Sequence, residues 1–167
     1  NSKKRVQLLG SGSILREAIA ASKLLSNDFN VEADIWSCTS FNELKRDGDE
    51  VSRWNLLHPD KKSRQCHVTK CLQNTEGPVI AATDYVKIFA DQIRAFVPKS
   101  YTVLGTDGFG RSDSRKALRK HFEVDRYFIT VASLSALKEE GKISAKVVKS
   151  AIKKYRIDTE KINPLFA

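Results

Sequence analysis

The 167-residue chain is 41% hydrophobic and 29% charged, and 29 basic against 20 acidic residues leave a net charge of +9. That length fits one ordinary domain with its own core. The composition excludes a disordered chain, and no apolar run approaches the ~18–20 residues of a membrane-spanning helix. The charge raises a nucleic acid or an acidic partner, but the basic residues are spread out and lack interleaved aromatics, so solvated faces are the simpler reading.

The chain contains no methionine and runs from Asn1-Ser2-Lys3-Lys4-Arg5 into an apolar strand over 6–9, which points to a domain cut from a longer protein. Gly10-Ser11-Gly12-Ser13 follows, and then Ile14, Leu15, Ala18, Ile19, Ser22 and Leu25 recur at helical spacing. A glycine loop before a helix suits a phosphate; it also suits close packing of strand on helix, the preferred reading because no acidic ribose partner follows the next strand. After a turn at 27–30, alternation of Val31, Ala33 and Ile35 predicts a strand with one buried face.

Ser40-Phe41-Asn42-Glu43 has the form of a capping box, so a helix is expected from Phe41 to Leu57 with a break around Asp47-Gly48-Asp49. Those acidic residues lack a full calcium-loop pattern and are read as caps of the second piece. His58-Pro59 ends the helix, and 60–64 is an exposed polar loop. Cys38, Cys66 and Cys71 are an odd number with no secretory leader, against a disulfide framework, and a cytoplasmic setting is expected. Cys66-His67-Val68-Thr69-Lys70-Cys71 lacks a second ligand pair, so zinc is not favoured.

Gly77-Pro78 resets the chain before a buried strand over 79–84, and Val86, Phe89, Ala90, Ile93, Phe96 and Val97 predict an amphipathic helix over 85–97. A strand over 101–104 leads into Gly105-Thr106-Asp107-Gly108-Phe109-Gly110-Arg111-Ser112-Asp113-Ser114-Arg115. Three glycines before a helix start could cradle an anion, but the spacing matches no phosphate motif and Asp107 would repel one. The preferred reading is a structural turn. Asp107 and Ser112 bond loop amides, Ser112 is the N-cap, Phe109 plugs the core, and Arg111 and Arg115 pair locally or meet another domain.

The remainder reads as helical. Leu118 and Phe122 come first, then Tyr127, Phe128, Val131, Leu134 and Leu137 in a helix closed by Gly141. A last helix over 144–155 sets Lys146, Lys149, Lys153, Lys154 and Arg156 opposite Val147, Val148, Ala151 and Ile152, and 158–161 caps a final turn. Three strand-to-helix units argue a single α/β layer domain over 1–167 with a mostly parallel sheet. The residues alone assemble no catalytic constellation, and they leave open a small-molecule binder using the two glycine loops or a basic module for an acidic partner or nucleic acid.

Several stretches carry a resemblance. Thr106-Asp107-Gly108-Phe109-Gly110-Arg111-Ser112-Asp113-Ser114-Arg115, Val6-Gln7-Leu8-Leu9-Gly10-Ser11-Gly12-Ser13-Ile14-Leu15-Arg16, Thr39-Ser40-Phe41-Asn42-Glu43-Leu44, Arg53-Trp54-Asn55-Leu56-Leu57-His58-Pro59 and Ile162-Asn163-Pro164 resemble the C-terminal domain of homodimeric bacterial pyruvate dehydrogenase E1 components, within the transketolase-like thiamine-diphosphate enzymes. The likeness runs from about Arg5 to Ala167 and is weakest over 60–77. It implies a three-layer α/β/α fold on a mixed five-stranded sheet with one antiparallel strand. It also implies a cytoplasmic parent that uses thiamine diphosphate and Mg²⁺ to decarboxylate pyruvate and acetylate the lipoyl group of the E2 dihydrolipoyl acetyltransferase, on the route from glycolysis to acetyl-CoA. The implied partners are the upstream domains, a second subunit and E2, with no membrane and no nucleic acid. The family's Gly-Asp-Gly metal motif is absent, so no catalytic, cofactor or metal residue is carried over. Asp107, Phe109, Arg111, Ser112 and Arg115 remain as structural or interface candidates.

Overall fold

The structure, a computed structural model, describes residues 4–167; the basic start at Asn1, Ser2 and Lys3 lies outside the described residues. Four strands, β1 (Lys4–Gly10), β2 (Val31–Ser37), β3 (Val79–Ala82) and β4 (Tyr101–Leu104), form one sheet in the order β2-β1-β3-β4. Every pair is parallel, with Leu8 opposite both Ile35 and Ile80, and Ile80 opposite Thr102. Around the sheet lie α1 (Leu15–Phe29), α2 (Phe41–Leu57), α3 (His67–Leu72), α4 (Lys87–Asp91), α5 (Arg115–His121), α6 (Arg126–Glu139) and α7 (Ala145–Lys154).

Period-two alternation divides the apolar residues of the central strands between two cores. Val6, Leu8, Ile80 and Ala82 pack with Ala18, Ala21 and Leu25 of α1, Leu134 and Leu137 of α6, and Ala151 of α7. Leu9, Val79 and Ala81 point the other way, against Phe41 of α2, Val68 and Leu72 of α3, and Ala90 and Ile93. The result is the expected three-layer α/β/α arrangement. The fifth, antiparallel strand of the resembling family is absent among the described residues. After β4 only residues 122–125 separate α5 from α6, and Glu123 there has φ +61°, which breaks an extended run.

Between its two cores β1 buries a polar residue. Gln7 donates through Nε2 to Asp34 Oδ2 (2.8 Å) and the Glu76 carbonyl (3.0 Å), and its Oε1 accepts from Trp36 Nε1 (2.8 Å). Full pairing removes the cost of burying the amide.

Several expectations are corrected. α2 runs unbroken through Gly48, because that glycine faces inward: a Cβ there would lie 2.3 Å from the Phe96 ring. Asp47 accepts from the amide of His67, across the loop, rather than capping a second helical piece. The helix expected over 85–97 is only α4 followed by a 3₁₀ turn at Arg94–Phe96. Its start is held extended, since Thr106 N–H bonds the Tyr85 carbonyl (2.9 Å), and its end is drawn away where Thr69 Oγ1 donates to the Phe96 carbonyl (2.7 Å). Phe89 is consequently 38% exposed. Ile35 is also exposed, because β2 is an edge strand. The capping hydroxyl of Ser40 is as read, accepting from Glu43 N (3.2 Å). So is Gly141: at φ +70° it lets its amide reach the Lys138 carbonyl (3.0 Å) and that of Lys142 the Leu137 carbonyl (2.9 Å), the paired bonds of a Schellman ending.

Candidate functional site

From β1 the chain leaves for β2 through α1 on one face, then returns past β1 to β3 through α2 and α3 on the other. Beyond the carboxyl ends of β1 and β3, where the winding reverses, a parallel α/β sheet opens a crevice. The loops after β1, β3 and β4 meet here around a cavity of about 560 Å³ lined by Ser13, Asp84, Thr106, Arg111, Asp113 and Arg115 among others.

Hydrogen bonds tie the three loops together. Ser11 Oγ donates to Thr83 Oγ1 (2.8 Å), Ser13 Oγ to Asp84 Oδ2 (3.1 Å), and Thr106 Oγ1 to the Asp84 carbonyl (3.0 Å). A Cβ on Gly10 would stand 2.7 Å from Leu15 Cα, so the first glycine loop serves close packing of strand on helix, as preferred. Gly12 lies against the Asp84 carboxylate, whose charge opposes an anion at that turn.

The second glycine loop departs from expectation in part. Asp107 bonds an amide, though one outside its own loop: its Oδ1 accepts from Lys87 N at the start of α4 (2.9 Å) and its Oδ2 lies 3.9 Å from Lys87 Nζ. Phe109 does not plug the core; it is 79% exposed, because Gly108 at φ +101° carries the chain outward over the Pro164 carbonyl. Ser112 is not the N-cap. That place belongs to Ser114, which accepts from Ala117 N (3.3 Å), while Asp113 Oδ1 accepts from Ser114 N. The helix therefore begins at Arg115, two residues later than a cap at Ser112 would place it. Arg111 and Ser112 are exposed, Arg111 lines the crevice, and Arg115 stands at the junction of the crevice and a second groove behind it.

That second groove, about 620 Å³, surrounds a cluster that sequence reasoning missed. Glu17, 4% exposed, accepts from Arg119 Nη1 (2.9 Å), Arg126 Nε (2.9 Å), Arg126 Nη2 (3.0 Å) and the Arg126 backbone N–H (3.0 Å). Burial alone would push its carboxyl up, but the side-chain and backbone bonds from Arg126 and the charges of Arg126 and Arg119 outweigh it, leaving the group below its ordinary value. The Arg126 guanidinium is correspondingly pushed up by its bond to Glu17. Arg119 also reaches the Ser13 carbonyl (3.3 Å) and hydroxyl (3.2 Å), linking the cluster to the crevice. One signal was legible: Glu17 falls on the same helical stripe as Ile14, Ala18, Ala21 and Leu25, where an acid needs a partner.

Cys71 Sγ lies 3.5 Å from His67 Nε2, and no group of three His, Cys, Asp or Glu side chains able to hold a metal occurs among the described residues. Cys38 is buried, and burial followed by the neighbouring Cys71 pushes its thiol up to about 11.

Comparison with known proteins places this architecture. The family described as the transketolase-like TK C-terminal domain matches residues 1–125. Over 161 residues the chain is 60% identical to the pyruvate dehydrogenase E1 component of Cupriavidus necator and 62% identical to that of Pseudomonas aeruginosa, in each case covering 96% of this chain and 18% of the relative. The Escherichia coli protein of the same name is 51% identical over 167 residues, 99% of this chain and 19% of its own. The chain thus spans about a fifth of the length of the curated relatives it matches. Among solved structures it is similar in fold to a split gene transketolase described as an inactive β4 tetramer, with a TM-score of 0.53 at 16% identity over 82% of this chain and 40% of that one.

Proposed function

The chain belongs to the transketolase-like C-terminal domain family, and from that premise we propose that it is the C-terminal domain of a homodimeric pyruvate dehydrogenase E1 component. Its parent decarboxylates pyruvate and acetylates the lipoyl group of the E2 acetyltransferase in the cytoplasm, and the domain itself serves structure and assembly. The observation that carries this reading is identity of 60% and 62% to two such components over 96% of the chain.

The reaction's thiamine diphosphate and Mg²⁺ belong to the upstream part of the parent. The residues here do not fit that group. A diphosphate at either glycine loop would meet Asp84 beside Gly12 or Asp113 at the amide of Ser114, and a divalent ion would find no set of three ligating side chains among the described residues. No chemical step is therefore assigned to this chain. Its contribution is an ordered surface. Asp107 fixes the start of α4, Ser114 fixes α5, and the exposed Phe109, Arg111 and Arg115 project beyond the carboxyl edge of the sheet. An exposed phenylalanine followed in the chain by two exposed arginines is suited to meeting another domain or subunit, since Arg forks pair with carboxylates and the ring supplies apolar area.

The test is reconstitution. An E1 component of one of the named relatives, truncated before the matching region, is assayed for pyruvate-dependent reduction of an artificial acceptor with and without this chain fused in its place. Recovery of activity by the fusion supports the assignment. A fusion that folds and dimerises but stays inactive overturns it.

A further inference from the structure

We propose that the face built by α1, α5, α6 and the turn after α7 is a docking surface for an acidic peptide segment of a partner protein. The inference stands apart from the proposed parent enzyme, because it rests on charge and geometry within this chain. Two depressions adjoin here, the 620 Å³ groove and one of about 560 Å³ on the α1 side, and they share Glu17, Arg115, Arg119 and Arg126. In their midst the fold already holds one carboxylate, since Glu17 sits between two guanidinium groups with four donors on it.

Around that pair of arginines stand six exposed cations, Arg16, Lys23, Arg115, Lys116, Lys120 and Arg156, with no ion-pair partner among the described residues. They come from three separate stretches of chain, which is why the sequence shows only scattered charge and the fold shows a patch. Three acids line the groove against these cations, and Asp158 is the one exposed among them. Glu17 is neutralised, Asp125 caps α6 by accepting from Tyr127 N (2.9 Å) and Phe128 N (3.0 Å), and Asp158 accepts from Glu160 N (3.0 Å). Unpaired like charges on one face repel each other and raise the local concentration of an oppositely charged partner.

The choice of a peptide over a nucleic acid follows from the aromatic residues. Tyr155 donates its hydroxyl to Asp28 Oδ2 (2.8 Å) and sets its ring edge-on to Phe29 at 6.2 Å, while Tyr127 leans on Tyr155 at 5.0 Å. Successive bases need open ring faces, and these rings are occupied by one another. Guanidinium forks suit carboxylates, and the internal Glu17 has that chemistry.

The experiment titrates the 167-residue chain into a fluorescein-labelled deca-glutamate peptide and reads anisotropy. Saturable micromolar binding, weakened at least about tenfold between roughly 50 and 300 mM salt, is expected for a contact of several exposed ion pairs. The Arg115→Glu/Lys116→Glu/Lys120→Glu variant should weaken binding by about tenfold or more. The Lys146→Glu/Lys149→Glu/Lys153→Glu variant, with the same change of net charge on α7, should change it less than about threefold. Circular dichroism checks that both fold, and the single exposed changes Lys116→Glu and Lys120→Glu repeat the comparison if the triple variant does not. Equal losses from the two faces, no saturable binding at ~1 mM peptide, or a twelve-nucleotide single strand binding more tightly than the peptide would each overturn the proposal.

Discussion

Replacing Glu17 with Ala removes the acceptor of four hydrogen bonds and leaves two guanidinium groups facing a buried hole. Four charge-assisted bonds at ~1.5–3 kcal/mol each would overstate the loss, because the arginines regain water where they can. Arg126, with its side chain 43% exposed, can swing outward; Arg119, at 16%, cannot do so fully and remains an uncompensated charge. The expected cost is therefore that of one broken buried pair, about 3–5 kcal/mol. Urea unfolding followed by circular dichroism measures it. The Arg126→Ala variant should lose more stability than Arg119→Ala, because it takes two of the four donors from the buried Glu17 carboxylate where Arg119→Ala takes one.

The same cluster has a pH signature. Because the folded carboxyl is held below its ordinary value of 4.5, its contribution is complete above that value and is lost as pH falls through the lower folded value. The stability gap between the native chain and Glu17→Gln should be full at neutral pH and should narrow below about pH 4.5. A Glu17→Ala loss under ~0.5 kcal/mol, or a gap independent of pH down to the acid transition, would refute the reasoning.

Three further outcomes follow from the packing. Gly48→Ala gains helix propensity of about 1 kcal/mol but drives a methyl into the Phe96 ring, so a net loss of about 1–2 kcal/mol is expected by chemical denaturation. Ile93→Ala, at a fully buried position, should cost about 2–5 kcal/mol, whereas Phe89→Ala should cost well below that; equal losses would restore the longer helix over 85–97. Ser114→Ala should cost about 1 kcal/mol through the lost cap and Ser112→Ala under ~0.5, and the opposite order in thermal melts would return the N-cap to Ser112.

What the sequence made legible was local and periodic. Both turns with strong chemistry, Ser40 at the head of α2 and Gly141 behind α6, are where pattern put them, as is the buried run of β3. Errors arose where one segment depends on another far away. Gly48 reads as a breaker until Phe96 is seen to occupy the space a side chain would take, and Phe89 reads as core until the bond from Thr106 holds the preceding turn extended. Phe109 looks like a plug for the same reason, since hydrophobicity does not reveal that Gly108 turns the chain over the 3₁₀ turn at Pro164–Phe166. The cluster of Glu17, Arg119 and Arg126 was the largest omission. Glu17 lies about a hundred residues from both arginines, and only that acid on an apolar stripe of α1 marked the cluster.

The central claim, that this chain is the C-terminal domain of an E1 component whose cofactor is held upstream, is tested most directly by calorimetric titration with thiamine diphosphate and Mg²⁺. The 167-residue chain and its fusion to the upstream portion of a named relative are titrated side by side. The account predicts no heat of binding for the chain and saturable binding with Mg²⁺-dependent stoichiometry for the fusion. Micromolar binding of thiamine diphosphate by the chain alone would contradict it.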